Sequence, residues 1–306
     1  MPKVSVLMSI YKPDERYLAQ QLESIDAQDF DDMDVIVYND CPESTGCESF
    51  CREHCTRHEL KYEDTNQNRG FIKAFEHLVE LADGEYLVLC DQDDIWLPGR
   101  IERGVEALDQ GYTLAVCDRQ IIDGEGEVVE QSWRAAHPNS PELTWKSGDH
   151  YAPYAATTCY AIGMATMVRA DVARELLPFP EHSGHDKWLA LGANAMGPCA
   201  NIEEPLVQYR RHGKNVSGSF SNISTKADWR LRRVIHSYEL AQEFVKHFPD
   251  SPDCEPIMGF AQARMDGSIR GLWRYRYLAP QTAKFEILMR FLPEKAFEAL
   301  VRKVKG

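Results

Sequence analysis

Asp91, Asp93 and Asp94 stand within four residues, directly after the apolar run Leu87-Val88-Leu89-Cys90. Carboxylates this close repel one another unless a cation joins them. A hard divalent ion takes oxygen ligands and bridges a diphosphate, so the cluster points to metal-assisted nucleotide chemistry. A second account is open, in which Asp93 or Asp94 caps a helix begun by Trp96 and Leu97. Cys47, Cys51, Cys55 and His58 form another conspicuous set, spaced four, four and three apart. On one continuous helix they would lie along a face and could not converge on a tetrahedral ion. Small buried side chains on a sheet-packing helix describe them better than a zinc site.

The acidic cluster needs elements to hold it. Lys3 to Pro13 reads as a buried strand ending in a polar turn, and Tyr17 to Ile25 as a helix with Leu18, Leu22 and Ile25 on one face. Asp34 to Asp40 is a second strand, again ending in a carboxylate. Asn66 to Phe71 is a turn into a helix over 72–81, and Leu87 to Cys90 a further strand. The order strand, helix, strand, helix, strand, with polar residues at each strand's end, predicts an open α/β sheet. Such sheets bind ligands outside the carboxyl ends of their strands. Gly70 suits a positive φ or a close backbone approach. A third helical stretch, 187–195, follows His185-Asp186, where Asp186 suits an N-cap. Leu206-Val207-Gln208 reads as an edge strand leading to Tyr209-Arg210-Arg211-His212.

In this order the motifs resemble the family 2 glycosyltransferases, inverting enzymes of the GT-A fold, with the bacterial rhamnosyltransferase-like branch nearest. The matching residues are Ser5 to Tyr11, Asn39-Asp40-Cys41, Asn68-Arg69-Gly70-Phe71, Asp91 to Trp96, His185 to Leu189, and Tyr209 to Asn215, over roughly residues 3 to 218. Arg69 departs from a more usual small or apolar residue, and Lys187 from a frequent aromatic. The resemblance implies a base pocket at Tyr11 and Asp40, where Tyr11 stacks and Asp40 accepts a pyrimidine N–H. It sets Asn68, Gly70 and Lys73 beside the donor, Asp91 near its ribose, and Arg210 and Arg211 near its diphosphate. Asp93 and His212 become metal ligands for Mn²⁺ or Mg²⁺. Asp186 becomes the base that takes a proton from the acceptor hydroxyl. Asp94, Trp96, His185 and Trp188 take acceptor-side or supporting roles. The bland readings stay beside these: a turn-initiating Asp40, solvated cations at Lys73 and Arg211, a packed His185, a capping Asp186.

The chain has 306 residues, 43% hydrophobic, with a net charge of −14. Residues 1–222 carry 19 Lys and Arg against 38 Asp and Glu, and residues 223–306 carry 15 against 10. An acidic body argues against nucleic-acid binding. Nine cysteines in no secreted framework, no apolar run long enough to span a bilayer, and a start that leads straight into a strand predict a cytoplasmic protein. The boundary is expected in the polar stretch 218–225, between a catalytic domain over 1–222 and a basic helical region over 223–306. Pro280 and Pro293 divide the tail into short helices. Its interleaved cations and aromatics suit the surface of an anionic membrane, and its apolar residues suit packing on the catalytic domain or on a second copy of the chain.

The reading that follows is an α/β, GT-A-like enzyme with a C-terminal helical appendage. It transfers one sugar from a UDP- or dTDP-sugar to a hydroxyl of a cell-surface glycan, which the resemblance extends to a lipid-linked one. The rivals are a sugar nucleotidyltransferase and a noncatalytic sugar-nucleotide- or glycan-binding protein. The first is expected to carry glycines after the opening strand, where Ser9 to Pro13 has none. The second is disfavoured by the retained carboxylates.

Overall fold

Val4–Ile10 (β1) is buried along its whole length except at the half-buried Ser9. Burial on both faces is what the interior of a parallel sheet demands. Asp14 then caps Glu15–Asp26 (α1) by accepting a hydrogen bond from the Arg16 amide, and Leu18, Leu22 and Ile25 are buried together. Met33–Asn39 (β2), Cys47–His54 (α2), Glu59–Asp64 (β3), Phe71–Leu81 (α3) and Tyr86–Cys90 (β4) complete the first half. The remaining strands are Ile95–Trp96 (β5), Leu114–Ile122 (β6), Val128–Glu130 (β7), Thr166–Arg169 (β8) and Cys199–Arg210 (β9). Arg100–Asp109 (α4) follows β5, and His185–Met196 (α5) precedes β9. The computed structural model describes residues 3–140, 144–212 and 223–305.

Among the described residues these strands form one mixed sheet in the order β3-β2-β1-β4-β8-β6-β9-β5, with β7 added to β6. The pairs β3–β2, β2–β1 and β1–β4 are parallel. Their registers set Ile10 beside Asn39 and Met8 beside Cys90. Tyr11, Asp40 and Asp91 therefore leave the sheet at the same end.

Three local expectations change. Trp96 and Leu97 do not begin a helix. Ile95–Trp96 pairs antiparallel with β9, and the helix opens at Arg100 after Gly99. Pro98 is the physical reason, since its ring disfavours helical backbone at Leu97. Neither Asp93 nor Asp94 is thus a cap. Leu206-Val207-Gln208 is not an edge either, because β9 is bracketed there by β6 and β5. Finally α2 stops at His54, so His58 lies beyond it. Cys51 and Cys55 are buried, and desolvation pushes each thiol up to about 12. They are protonated core residues rather than thiolate ligands.

The chain divides into two compact units, Met1–His150 with Cys159–His212, and Tyr151–Thr158 with Gly213–Gly306. Of the stretch 218–225 in which a boundary was expected, residues 218–222 lie outside the described residues. The second unit is helical: His236–His247 (α6), Cys254–Asp266 (α7), Ile269–Arg274 (α8), Pro280–Met289 (α9) and Glu294–Lys305 (α10). Pro280 opens α9, and Pro293 separates it from α10. One apolar cluster gathers Phe260, Leu272, Tyr275, Leu278 and Ala283, with Tyr154 packed against it. Another joins Trp229, Val234, Phe297 and Val301. Arg264 and Glu286 form a buried bidentate pair at 2.7 Å, and the Trp229 indole donates to the same carboxylate. No described helix is long and apolar enough to cross a membrane.

Candidate active site

The turn after β4 brings its carboxylates into three different environments. Asp94 is fully buried and accepts the Arg210 backbone amide at 2.9 Å. Burial, then the charges of Asp91 and Asp93, push its carboxyl well above the usual range. It is a brace between this turn and the end of β9, and it presents nothing to an acceptor. Asp91 remains partly open to solvent. Burial, then Asp93, then Asp186 push its carboxyl up to about 7. Asp186 therefore lies within electrostatic reach of the β4 turn, although 92 residues separate it from Asp93 or more from Asp91. Asp93 faces His212, whose Nε2 lies 2.8 Å from Asp93 Oδ2.

Asp186 lies in the first turn of α5, with Gly184 rather than itself as N-cap. Its Oδ1 accepts the Lys187 amide at 2.7 Å. A side chain at Gly184 would put its Cβ 2.6 Å from that oxygen, so only glycine leaves the carboxylate this position. His185 does not orient Asp186. It is buried, stacked on Phe75 at 4.0 Å, and neither ring nitrogen has a hydrogen-bond partner among the described residues. Burial lowers its pKa, so the imidazole is neutral.

The donor-side residues separate just as sharply. Asp40 is buried, and its two oxygens accept the Arg69 and Gly70 amides at 2.7 and 2.9 Å. Asn68 Oδ1 accepts the Gly70 amide as well. Gly70 has φ 78° and ψ 154°, a region that glycine alone enters at low cost. Tyr11 is exposed at the end of β1. Its backbone is clamped by Gln92, which accepts from the Tyr11 amide at 2.8 Å and donates to its carbonyl at 3.2 Å. Lys12, next along, holds a left-handed φ of 45°. Lys73 pairs with both oxygens of Glu76, which also accepts the Phe179 amide. Gln67, Arg69, Lys73, Glu76, His77 and Glu80 line a cavity of about 380 Å³ beside this turn.

Three expected contacts are redirected. Arg210 is buried and committed: it donates to the Asp93 carbonyl at 2.8 Å and to Gln20 at 2.7 Å, and lies over the Tyr17 ring at 4.4 Å. It holds the turn and is not presented to a diphosphate. Arg211 faces the other way, exposed, over the Trp133 ring at 4.8 Å. Alternation along an extended chain explains the contrast. Trp96 and Trp188 are both core residues, the latter anchored by its indole N–H to the Leu176 carbonyl at 2.8 Å. They support the site from within. Gln92, Gly184 and Gln20 escaped the sequence reading, because nothing in their type signals a clamp, a clearance or a brace. Gly213 to Asn215, the end of the last motif, lies outside the described residues.

A mixed sheet with acidic turns at the carboxyl ends of parallel strands, flanked by helices, has the GT-A architecture. The solved structures bear this out. S. aureus TarS in complex with UDP-GlcNAc aligns with a TM-score of 0.63 over 98% of this chain and 89% of that one, at 14% identity. The mannosyltransferase PcManGT from Pyrobaculum calidifontis, in complex with GDP-Man and Mn²⁺, aligns with a TM-score of 0.57 over 99% and 80%, at 20% identity. An uncharacterised glycosyltransferase of Nostoc sp. is 23% identical over 80% of this chain and 75% of its own. Residues 5–177 match the model of glycosyl transferase family 2, and the chain belongs to that family.

Proposed function

We propose that this glycosyltransferase moves one sugar, with inversion, from a nucleoside-diphosphate donor to a hydroxyl of a cell-surface glycan, including lipid-linked ones. The observation that carries the proposal is the His212 Nε2 contact with Asp93 Oδ2 at 2.8 Å, in the turn where Asp93 and Asp186 both lie within electrostatic reach of Asp91. Burial and the charges of Asp93 and Asp186 raise the proton affinity of Asp91, and a cation relieves that cost. The donor set of carboxylate oxygen and imidazole nitrogen fits Mn²⁺ and accepts Mg²⁺. Asp93 and His212 would hold the ion, and when bound it would offset the charge gathering on the leaving diphosphate. UDP-sugars and dTDP-sugars are the favoured donors, with Tyr11 against the base, Asp40 and Asn68 shaping the turn beside it, and Asp91 near the ribose.

In this reading Asp186 accepts the proton of the acceptor hydroxyl. The acceptor oxygen forms its bond to the anomeric carbon from the face opposite the diphosphate. The bond from that carbon to the phosphate oxygen breaks, and the nucleoside diphosphate leaves with the electron pair. The hydrogen bond from the Lys187 amide fixes Asp186 and leaves its second oxygen for the proton. Neutral His185 and buried Trp188 keep the wall behind it dry and rigid.

The experiment is slow donor hydrolysis, which requires no knowledge of the acceptor. Purified protein is incubated with UDP-, dTDP- and GDP-sugars and Mn²⁺. One donor class is expected to release nucleoside diphosphate, and chelator or Asp93→Asn to abolish it. Undiminished turnover in chelator would remove the metal from the proposal, and release from no donor would remove the proposal.

A further inference from the structure

We infer that the C-terminal helical unit carries a docking surface for anionic lipid, built from α8, the turn after it and the end of α9. The sequence between Gly267 and Pro293 holds five cations, Arg270, Arg274, Arg276, Lys284 and Arg290, and one carboxylate, Glu286. Folding removes that carboxylate from the surface, since Glu286 is buried against Arg264. All five cations stay exposed. Arg274 meets Glu255 of α7 at 3.2 Å, and the other four have no ion-pair partner among the described residues. In a chain of net charge −14 this is a segment with no exposed carboxylate of its own.

The same segment fails to bury its largest apolar groups. Leu272, Tyr275, Leu278 and Ala283 fill the helical core, yet Trp273 is 61% exposed and Phe291 75%. Ile269, Tyr277 and Leu288 are exposed as well. Ile269 and Trp273 are four residues apart on α8 and share a side of it. The Phe291 amide bonds the Leu288 carbonyl at 3.0 Å, which holds these two in one turn. The end of α9 reaches back to the root of α8, where the Arg290 guanidinium comes within 2.8 Å of the position a Cβ would take at Gly267. Arg276 lies over the Trp273 ring at 4.2 Å.

Exposed aromatics and aliphatics ringed by cations have one fitting counterpart, a surface that is negative outside and apolar beneath. A bilayer bearing anionic headgroups is such a surface. Indole and phenol rings are at home at headgroup depth, where one edge is wet and the body is not. A free anion would leave Trp273 and Phe291 unexplained. No described helix can span the bilayer, so contact is confined to its face.

The test is cosedimentation of the full chain with phosphatidylcholine vesicles, with and without phosphatidylglycerol, in the absence of any sugar donor. Binding is expected only with phosphatidylglycerol, and to weaken as salt rises. Trp273→Ala with Phe291→Ala removes exposed side chains only, so the helical circular dichroism should be unchanged while vesicle affinity falls about tenfold or more. Arg270→Gln with Arg276→Gln and Arg290→Gln should flatten the salt dependence. Absence of binding at low salt would overturn the inference. So would binding that the apolar pair does not affect, or a dimer in sedimentation that the apolar pair dissolves in place of vesicle binding, which would assign the patch to a second copy of the chain.

Discussion

Asp186 holds one oxygen against a backbone amide and leaves the other for chemistry. Asp186→Asn keeps the hydrogen bond to the Lys187 amide, because an amide oxygen accepts as a carboxylate does, and it keeps the side-chain volume beside Gly184. It removes only the capacity to take a proton. Transfer is expected to fall about 10²–10⁴-fold while donor affinity and unfolding midpoint hold steady. Titration calorimetry and denaturation together check this, and joint loss of donor affinity and stability would assign Asp186 to the helix start alone. At this scale the sequence was informative about type and silent about direction. The acidic run and His185-Asp186 announce themselves by charge. Arg210 and Arg211 are adjacent and chemically identical, yet one is a buried brace and the other an exposed cation on the opposite side. Only the partner strands fix which is which. Asp94 likewise resembles Asp93 in every local respect, and its burial follows from β5 pairing with β9 across more than 100 residues.

Strands and helices were legible wherever periodicity was long. The faces of α1 and α3, the two-sided burial of β1, and the proline breaks around α9 follow from local pattern. β5 was not legible, because two residues have no period and its existence depends on β9. Two elements carry sharp expectations. The entry to α3 hangs on Gly70, whose φ of 78° with ψ of 154° disfavours any side chain. No atom lies within 4 Å of the added Cβ, so the cost of Gly70→Ala is conformational and amounts to about 1–3 kcal/mol. Because Asp40 grips this same turn, denaturant unfolding should register the loss, and donor affinity should fall with it. In the helical unit, Glu286→Ala strands the buried Arg264 guanidinium and should destabilise that unit by about 3–5 kcal/mol. Replacing both partners by apolar residues of similar volume should recover most of it. A single mutant as stable as the wild type would show that water reaches Arg264.

For the whole molecule, the acidic site couples proton binding, ion binding and stability. Burial and the charges of Asp93 and Asp186 push the Asp91 carboxyl up to about 7 in the folded chain, against the ordinary 3.8. Between those values the native state holds a proton that the unfolded state has released. Stability therefore falls as pH rises through this window and stays lowered above it. Buried Asp94 shifts in the same direction and adds to the slope. A divalent ion in the site competes with those protons, so it binds more tightly where they have left. Ion at a hundredfold excess over its dissociation constant stabilises by about 2.7 kcal/mol. The rise in melting temperature on adding Mn²⁺ is thus expected to be larger near about pH 8 than near about pH 5.5. A chain of net charge −14 also gathers cations diffusely, and that background must be separated from the site. Asp93→Asn does so: it changes the total charge by one and removes a ligand. The pH-dependent part of the shift should vanish in this variant and the diffuse part remain. An equal Mn²⁺ effect at both pH values, or one that survives Asp93→Asn, would mean that Asp91 and Asp94 hold protons for structural reasons and not in place of an ion.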